Sequence, residues 1–363
     1  MNNLITNIDK NILFDKDLIK EFPKIELHRH LEGTMPLDVL FKISLKNKIG
    51  LPEDFESFKS EIQFPKDSKP DFLLFLSKFR NNYYKSLEDI EILTYESVKS
   101  LKEENIFYIE LRFSPEHYSF ENNFDRGEVT KLIIKTGNEA AKEIGLNIKY
   151  LITFNRNKQT QEEMIELYEK IRNLELEDIV GIDLAGDEIN YPPKNFIKFF
   201  NKVYNDNLYK ITIHAGEVSP SKQIWDAIFC LYASRIGHGV ATINDKELQM
   251  FLKDNAIYLE QCIISNKLTG SWEDDKTHPF GTLFKNSIPV TLNSDDPVIQ
   301  NSILTDDYMK VIQNFDFDLN DLIKLNINTI EASFLSNSEK KSLLNEYTSE
   351  VNKFLKSIKS KKI

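Results

Sequence analysis

The chain has 363 residues, long for one ordinary domain yet within the range of an α/β barrel with insertions. A net charge of -11 and a pI of about 5.2 leave no basic face to follow a phosphate backbone, so nucleic acid is a poor partner. No apolar run reaches bilayer length, and two cysteines, Cys230 and Cys262, make neither a disulfide framework nor a Cys-x-x-Cys metal site, so a soluble chain in a reducing cytoplasm is expected.

In chain order, the opening "MNNLITNIDKNILFDK" lacks the basic start and unbroken apolar stretch of a secretory signal. Eight short apolar runs follow, each reading as a strand: "KIELHRH" (24–30), "FYIELRFS" (107–114), "IKYLITF" (148–154), "IVGIDLAG" (179–186), "KITIHAG" (210–216), "SRIGHG" (234–239), "AIYLEQC" (256–262) and "IPVTLNS" (288–294). Segments with helical periodicity separate most of them, such as "QEEMIELYEKIRNL" before the fourth and "PKNFIKFFNKVYNDN" before the fifth. Strands alternating with helical crossovers predict a closed (β/α)8 TIM barrel spanning residues 1–363 as a single domain.

The segment 34–105 is too long for one crossover and predicts a helical insertion over the barrel mouth. Within it Phe72, Phe75 and Phe79 recur at helical spacing; such a stripe ordinarily faces a core, and here some of these rings could also line a substrate pocket. The stretch "SWEDDKTHP" after the seventh strand reads as a polar loop, and residues 335–363 as a C-terminal helix with a solvated basic tail, "KSIKSKKI".

In a barrel of this kind the active site is built from the C-terminal strand ends and the loops that follow them. The first strand ends in His28 and His30, which share one strand face at i and i+2. The fifth ends in His214, with Glu217 just beyond, the sixth in His238, and Asp295 and Asp296 follow the eighth. Each alone has a structural explanation: a core histidine, a helix N-terminal charge, an N-cap in "SDDP". Together they are one rim cluster whose desolvation needs a metal or mutual pairing to offset it. Three imidazoles and a carboxylate suit zinc, with iron or manganese left open by ligand type. A metal that brings the pKa of water to about 7 makes such a site hydrolytic.

The ordered motifs "ELHRHLEG", "GIDLAGDE", "TIHAGE", "RIGHGV" and "LNSDDP" resemble the adenosine deaminase family of metal-dependent amidohydrolases, from about Pro23 to Phe334. The resemblance implies one zinc held by His28, His30, His214 and Asp295, the last also catalytic. It further implies that Glu217 donates a proton to purine N1, His238 orients and deprotonates the attacking water, Asp296 bonds N7, the Gly186 backbone meets N3, and His30 and Glu32 lie along the substrate. The implied reaction converts adenosine, and 2′-deoxyadenosine, to the inosine product and ammonia, as in purine salvage. The partner is then a small purine nucleoside; the oligomeric state is open, with a monomer expected.

Two positions depart from the family pattern. Leu31-Glu32-Gly33 stands where Leu-Asp-Gly is common, and the longer carboxylate bears on what sits at the 5′ end. Aminodeoxyfutalosine, 5′-methylthioadenosine and adenine are therefore alternative substrates, although "GIDLAGDE" looks like the nucleoside-using branch. Cys262-Ile263 replaces Cys-Pro, with Ser265 and Asn266 retained. A dinuclear site with a bridging lysine on the fourth strand is disfavoured because "GIDLAGDE" has none, and the Pro-Cys-x-x-Cys deaminases are excluded by the missing cysteine pair. A catalytically dead nucleoside-binding homologue is the rival from another class.

Overall fold

The computed structural model describes residues 10–65 and 68–361. Among them eight strands form one sheet in sequence order: β1 (Lys24–His30), β2 (Ile106–Phe113), β3 (Asn147–Asn155), β4 (Ile179–Ala185), β5 (Lys210–Ala215), β6 (Arg235–His238), β7 (Tyr258–Gln261) and β8 (Val290–Leu292). Every neighbouring pair runs parallel. The sheet closes through a single parallel bridge between Arg29 and Asp295. There the His30 N–H donates to the Asp295 carbonyl, and the Asp295 N–H to the His28 carbonyl, each at 3.0 Å. Three of the histidine and aspartate candidates thus form the seam.

All eight expected strands are present; β1 and β2 keep the length of their apolar runs, β3 is longer, and β4 to β8 are shorter by one to four residues, because backbone pairing stops where the chain bends into the loops. The helix read at 161–174 spans Gln161–Arg172, and that at 193–207 begins as a 3-10 turn, Pro193–Phe196, before the α-helix Ile197–Asp206. Capping explains several sharp helix starts: Thr160 with Glu163 and Asp318 with Asp321 form reciprocal boxes, satisfying donors a helix N-terminus would otherwise leave open. The lysine-rich end belongs to a helix, Asn337–Lys361, with Leu355 and Ile358 buried. The solvated-tail reading therefore yields to helix up to that point, and residues 362–363, like 1–9 of the opening stretch, lie outside the described residues.

Residues 34–105 carry the helices Leu37–Asn47, Phe55–Ile62, Phe72–Ser77 and Leu87–Ser100. The last packs against the outer helix Arg126–Ile144. Asp71 caps the third, its carboxylate accepting from the Leu74 N–H at 2.8 Å. That helix ends before Phe79, so the aromatic stripe is carried on by a turn, and Phe75 packs with Phe64 and Ile299 in a small core of its own.

Charge fills the middle of the barrel. Arg235 meets Glu110 at 2.7 Å and also Glu260; Arg112 meets Glu260 at 2.7 Å and Asp183 at 3.3 Å. All five side chains are fully buried. Such burial is tolerable because each ion has an opposite partner and further hydrogen bonds, from Thr212 to Glu260 and from Thr153 to Asp183.

Candidate active site

His28, His30, His214 and Asp295 converge, each buried, with one ligand atom apiece lying within 4.8 Å of the others. His30 Nε2 is 3.3 Å from His214 Nε2, and Asp295 Oδ1 is 3.3 Å from His28 Nε2 and 3.5 Å from His30 Nε2. Donors around one tetrahedral zinc, with bonds of about 2.0–2.1 Å, are separated by about 3.4 Å. Ring orientation agrees. His28 Nδ1 lies 2.7 Å from Glu260 and His214 Nδ1 lies 2.9 Å from Asp183, so both rings give their Nδ1 proton to a carboxylate and turn a lone pair inward. His28 Nε2 is buried with no hydrogen-bond partner. The donor set and this orphaned nitrogen fit a metal ion.

A cavity opens above this cluster. His30, His214, His238, Asp295, Asp296 and Glu217 line its floor end, and Glu32, Ser114, His117, Asn155, Asn157, Lys158 and Gly186 its other walls. Phe72, Phe75, Leu76 and Phe79 supply an apolar side, so the aromatic stripe serves both its small core and the cavity.

Among the described residues the carboxylates Glu32, Glu217 and Asp296 form no ion pair with a lysine or arginine; Lys158 on the cavity wall and Arg156 offset the burial of Glu32 and Glu217 only in part. Burial raises Glu217 well above the usual carboxylate range, and Asp295 and Glu188 push it further; Asp296 is raised by burial and by Asp295 beside it. Both are thereby biased toward the protonated form, and Asp296 Oδ1 is buried without a partner. Gly33 makes room for it: a Cβ there would stand 2.0 Å from Asp296 Oδ1. Burial likewise raises Glu32, to about 7, although the Ser114 N–H donates to its Oε1 at 2.7 Å. Its other oxygen is buried and unpartnered.

Gly186 has a φ of +100°, a left-handed conformation that glycine adopts without strain. A side chain there would strike Asn157 Oδ1 at 2.7 Å, so the backbone faces the cavity bare. His238 sits 3.7 Å from Glu217 through Nε2, too long for a hydrogen bond. Its ring is buried and held well below its usual pKa by that burial and by His28. The helix Ile263–Leu268 braces the reacting end from behind. Its Ser265 donates to Asp295 Oδ2 at 2.6 Å, and its Asn266 lies 3.2 Å from His238 Nδ1.

Every candidate residue from the sequence thus reaches one place. Sequence reasoning missed Asp183, Glu260 and Arg112, which orient the histidines from beneath. Their signal was a charge inside an apolar strand, in "IVGIDLAG", "AIYLEQC" and "FYIELRFS". His117 was also missed; its ring lies between Tyr84 and Tyr118, and burial lowers it to about 3.

A family model described as adenosine deaminase matches residues 23–350. Adenosine deaminase of Clostridium acetobutylicum is 31% identical over 336 residues, covering 91% of this chain and 98% of that protein. Adenosine deaminase of Danio rerio is 32% identical over 345 residues, covering 89% and 94%. Among solved structures, an adenine deaminase from Arthrobacter aurescens superposes with a TM-score of 0.83 at 23% identity, over 91% of this chain and 99% of that one, and so shares the fold.

Proposed function

The chain belongs to the adenosine deaminase family, and on that premise we propose that it deaminates adenosine, and 2′-deoxyadenosine, hydrolytically to inosine or deoxyinosine and ammonia. The observation that carries this reading is the stacking of a four-donor cluster, His28, His30, His214 and Asp295, under a cavity lined by the buried acids Glu217 and Asp296, both raised above the usual carboxylate range. Zinc held by those four residues would activate water near neutral pH.

The rest falls to the chain itself. Glu217, kept protonated by burial, donates to N1 and makes C6 electrophilic. His238 faces the oxygen that attacks C6. Asp296 carries a proton in its buried carboxyl and offers it to N7, while the bare backbone at Gly186 lets the ring edge approach at N3. Phe72, Phe75 and Phe79 give the ligand an apolar wall. Water adds its oxygen to C6, and the amine leaves as ammonia.

A second reading rests on Glu32. Glu32 lines the cavity with one carboxylate oxygen buried and unpartnered, and its extra methylene suits a 5′-altered nucleoside such as 5′-methylthioadenosine or aminodeoxyfutalosine. The enzyme is further proposed to act as one domain, with 34–105 over the mouth, in cytoplasmic purine salvage and as a monomer.

The test is an ultraviolet and ammonia-release assay on metal-quantified protein with adenosine, deoxyadenosine, adenine, aminodeoxyfutalosine and 5′-methylthioadenosine side by side. Adenosine should turn over fastest. A faster 5′-altered substrate or adenine would replace it, and no turnover of any would leave a nucleoside-binding homologue.

A further inference from the structure

A run of buried hydrogen bonds starts in the loop Ser271–Pro279 and ends on His238. The Phe280 backbone N–H, which can only donate, meets His278 Nδ1 at 3.2 Å. In a neutral ring the proton is then on Nε2, which lies 3.1 Å from Asn266 Oδ1. With its oxygen engaged, the Asn266 amide turns its NH2 group to His238 Nδ1 at 3.2 Å. His238 Nδ1 must therefore accept, and the ring's one proton is left on Nε2.

We propose that His278 and Asn266 are positioning residues that hold His238 in the tautomer protonated on Nε2, so that His238 meets the attacking oxygen as a hydrogen-bond donor. No bond is made or broken on His238 at that point. The ring stabilises charge growing on the oxygen, which amends the base role the family resemblance implies. The proton the water sheds on attack passes to solvent, Glu217 protonates N1, and the hydroxyl proton left on C6 departs with the amine as ammonia. Imidazolium is opposed by the same geometry, because a second N–H on Nδ1 would point at the Asn266 NH2 group.

The three side chains are at most 2% exposed, so water does not compete for these bonds. Burial lowers His278 to about 3, which keeps its ring neutral at the start of the chain. The backbone is strapped too: the Trp272 N–H and the Ser271 hydroxyl both donate to the Asn266 carbonyl at 3.0 Å. The loop that reads as an ordinary polar connection, "SWEDDKTHP", thereby supplies the first side chain of the relay.

The reaction assigned to His238 rests on the deaminase reading, whereas the hydrogen-bond chain does not. The test is a 15N spectrum of histidine-labelled holoenzyme, with the His238 signals assigned by their absence from H238Q. The expected pattern is a pyridine-type Nδ1 and a pyrrole-type Nε2; the reverse would overturn the relay. In N266D the carboxylate accepts from the ring, so the proton should move to Nδ1. The kcat should then fall on the order of 10²–10⁴-fold with KM nearly unchanged, the size of a misplaced proton donor or wrong tautomer. A moved proton with unchanged kcat would overturn the donor role. H278Q, whose amide can still donate to Asn266, should keep the wild-type pattern and most of kcat, whereas H278L should mix the tautomers; loss in H278Q equal to that in H278L would overturn the relay. Wild-type protein that shows the expected 15N pattern but leaves adenosine unchanged would sink the proposed substrate and leave the relay standing.

Discussion

Below the histidine cluster and above it the protein places the same kind of residue, a buried carboxyl, in opposite states. Beneath, Glu260 lies against Arg112 and Arg235, and Asp183 against Arg112; despite burial, both are held well below the ordinary carboxylate range by the arginines and the histidines they brace. Above, Glu217 and Asp296 have comparable burial but carboxylates for nearest charges, and both are raised. Burial alone therefore decides nothing about ionisation; the sign comes from the neighbours. The lower layer supplies fixed negative charge that orients the histidines, and the proposed function uses the upper layer as its source of protons.

That contrast can be broken first at Glu217. E217Q keeps the size but removes the proton donor, so kcat should fall by on the order of 10²–10⁴-fold with metal content unchanged by elemental analysis. Loss of metal in E217Q would make the upper acid part of the holding layer instead.

E260Q attacks the lower layer, leaving Arg112 and Arg235 short of a counter-ion. It should destabilise the fold by roughly 3–5 kcal/mol, read from denaturant midpoints with and without metal. D183N is gentler. His214 loses the anion that accepts its Nδ1 proton, and metal affinity by chelator competition should drop by about 10–100-fold. If E260Q and D183N instead lowered kcat with stability and affinity intact, the division between layers would fail.

The smallest effect is a pH trend that sharpens the same distinction. Glu217 has a folded pKa above its usual value, so its acid form is complete below that pKa and is lost as pH rises through it. The kcat/KM for the preferred purine should fall on the alkaline side by about tenfold per unit. In E217Q the residual rate should lose that limb, measured across buffers of constant ionic strength.

Strand order and rim chemistry were legible because they follow from local pattern: apolar runs for β1 to β8, and histidines or acids at or just beyond the ends of β1, β5, β6 and β8. What stayed hidden depends on contacts across the barrel. Glu260 and Asp183 sit inside strands where periodicity marks only a buried position, and nothing local says that Glu260 meets His28 two strands around the barrel or that Asp183 meets His214 on the adjoining strand. His278 lies in a loop whose composition is merely polar, and its link to His238 passes through a third residue on a helix. Phe72, Phe75 and Phe79 stood in between: the spacing announced burial, and the split between small core and cavity emerged only with Phe64 and Ile299 in place.

The closing seam has a consequence for assembly of the whole chain. β1 and β8 meet through one bridge, made by residues flanked by or identical with the candidate metal donors. Those residues come from opposite ends of the sequence, so the contact is among the most entropically demanding the chain forms. A divalent ion bound there would act as a clasp on the cylinder, tying the first-synthesised strand to the last. Stripping it with a chelator should loosen the β1 and β8 amides ahead of those in β3 and β4, an order that hydrogen exchange can follow strand by strand.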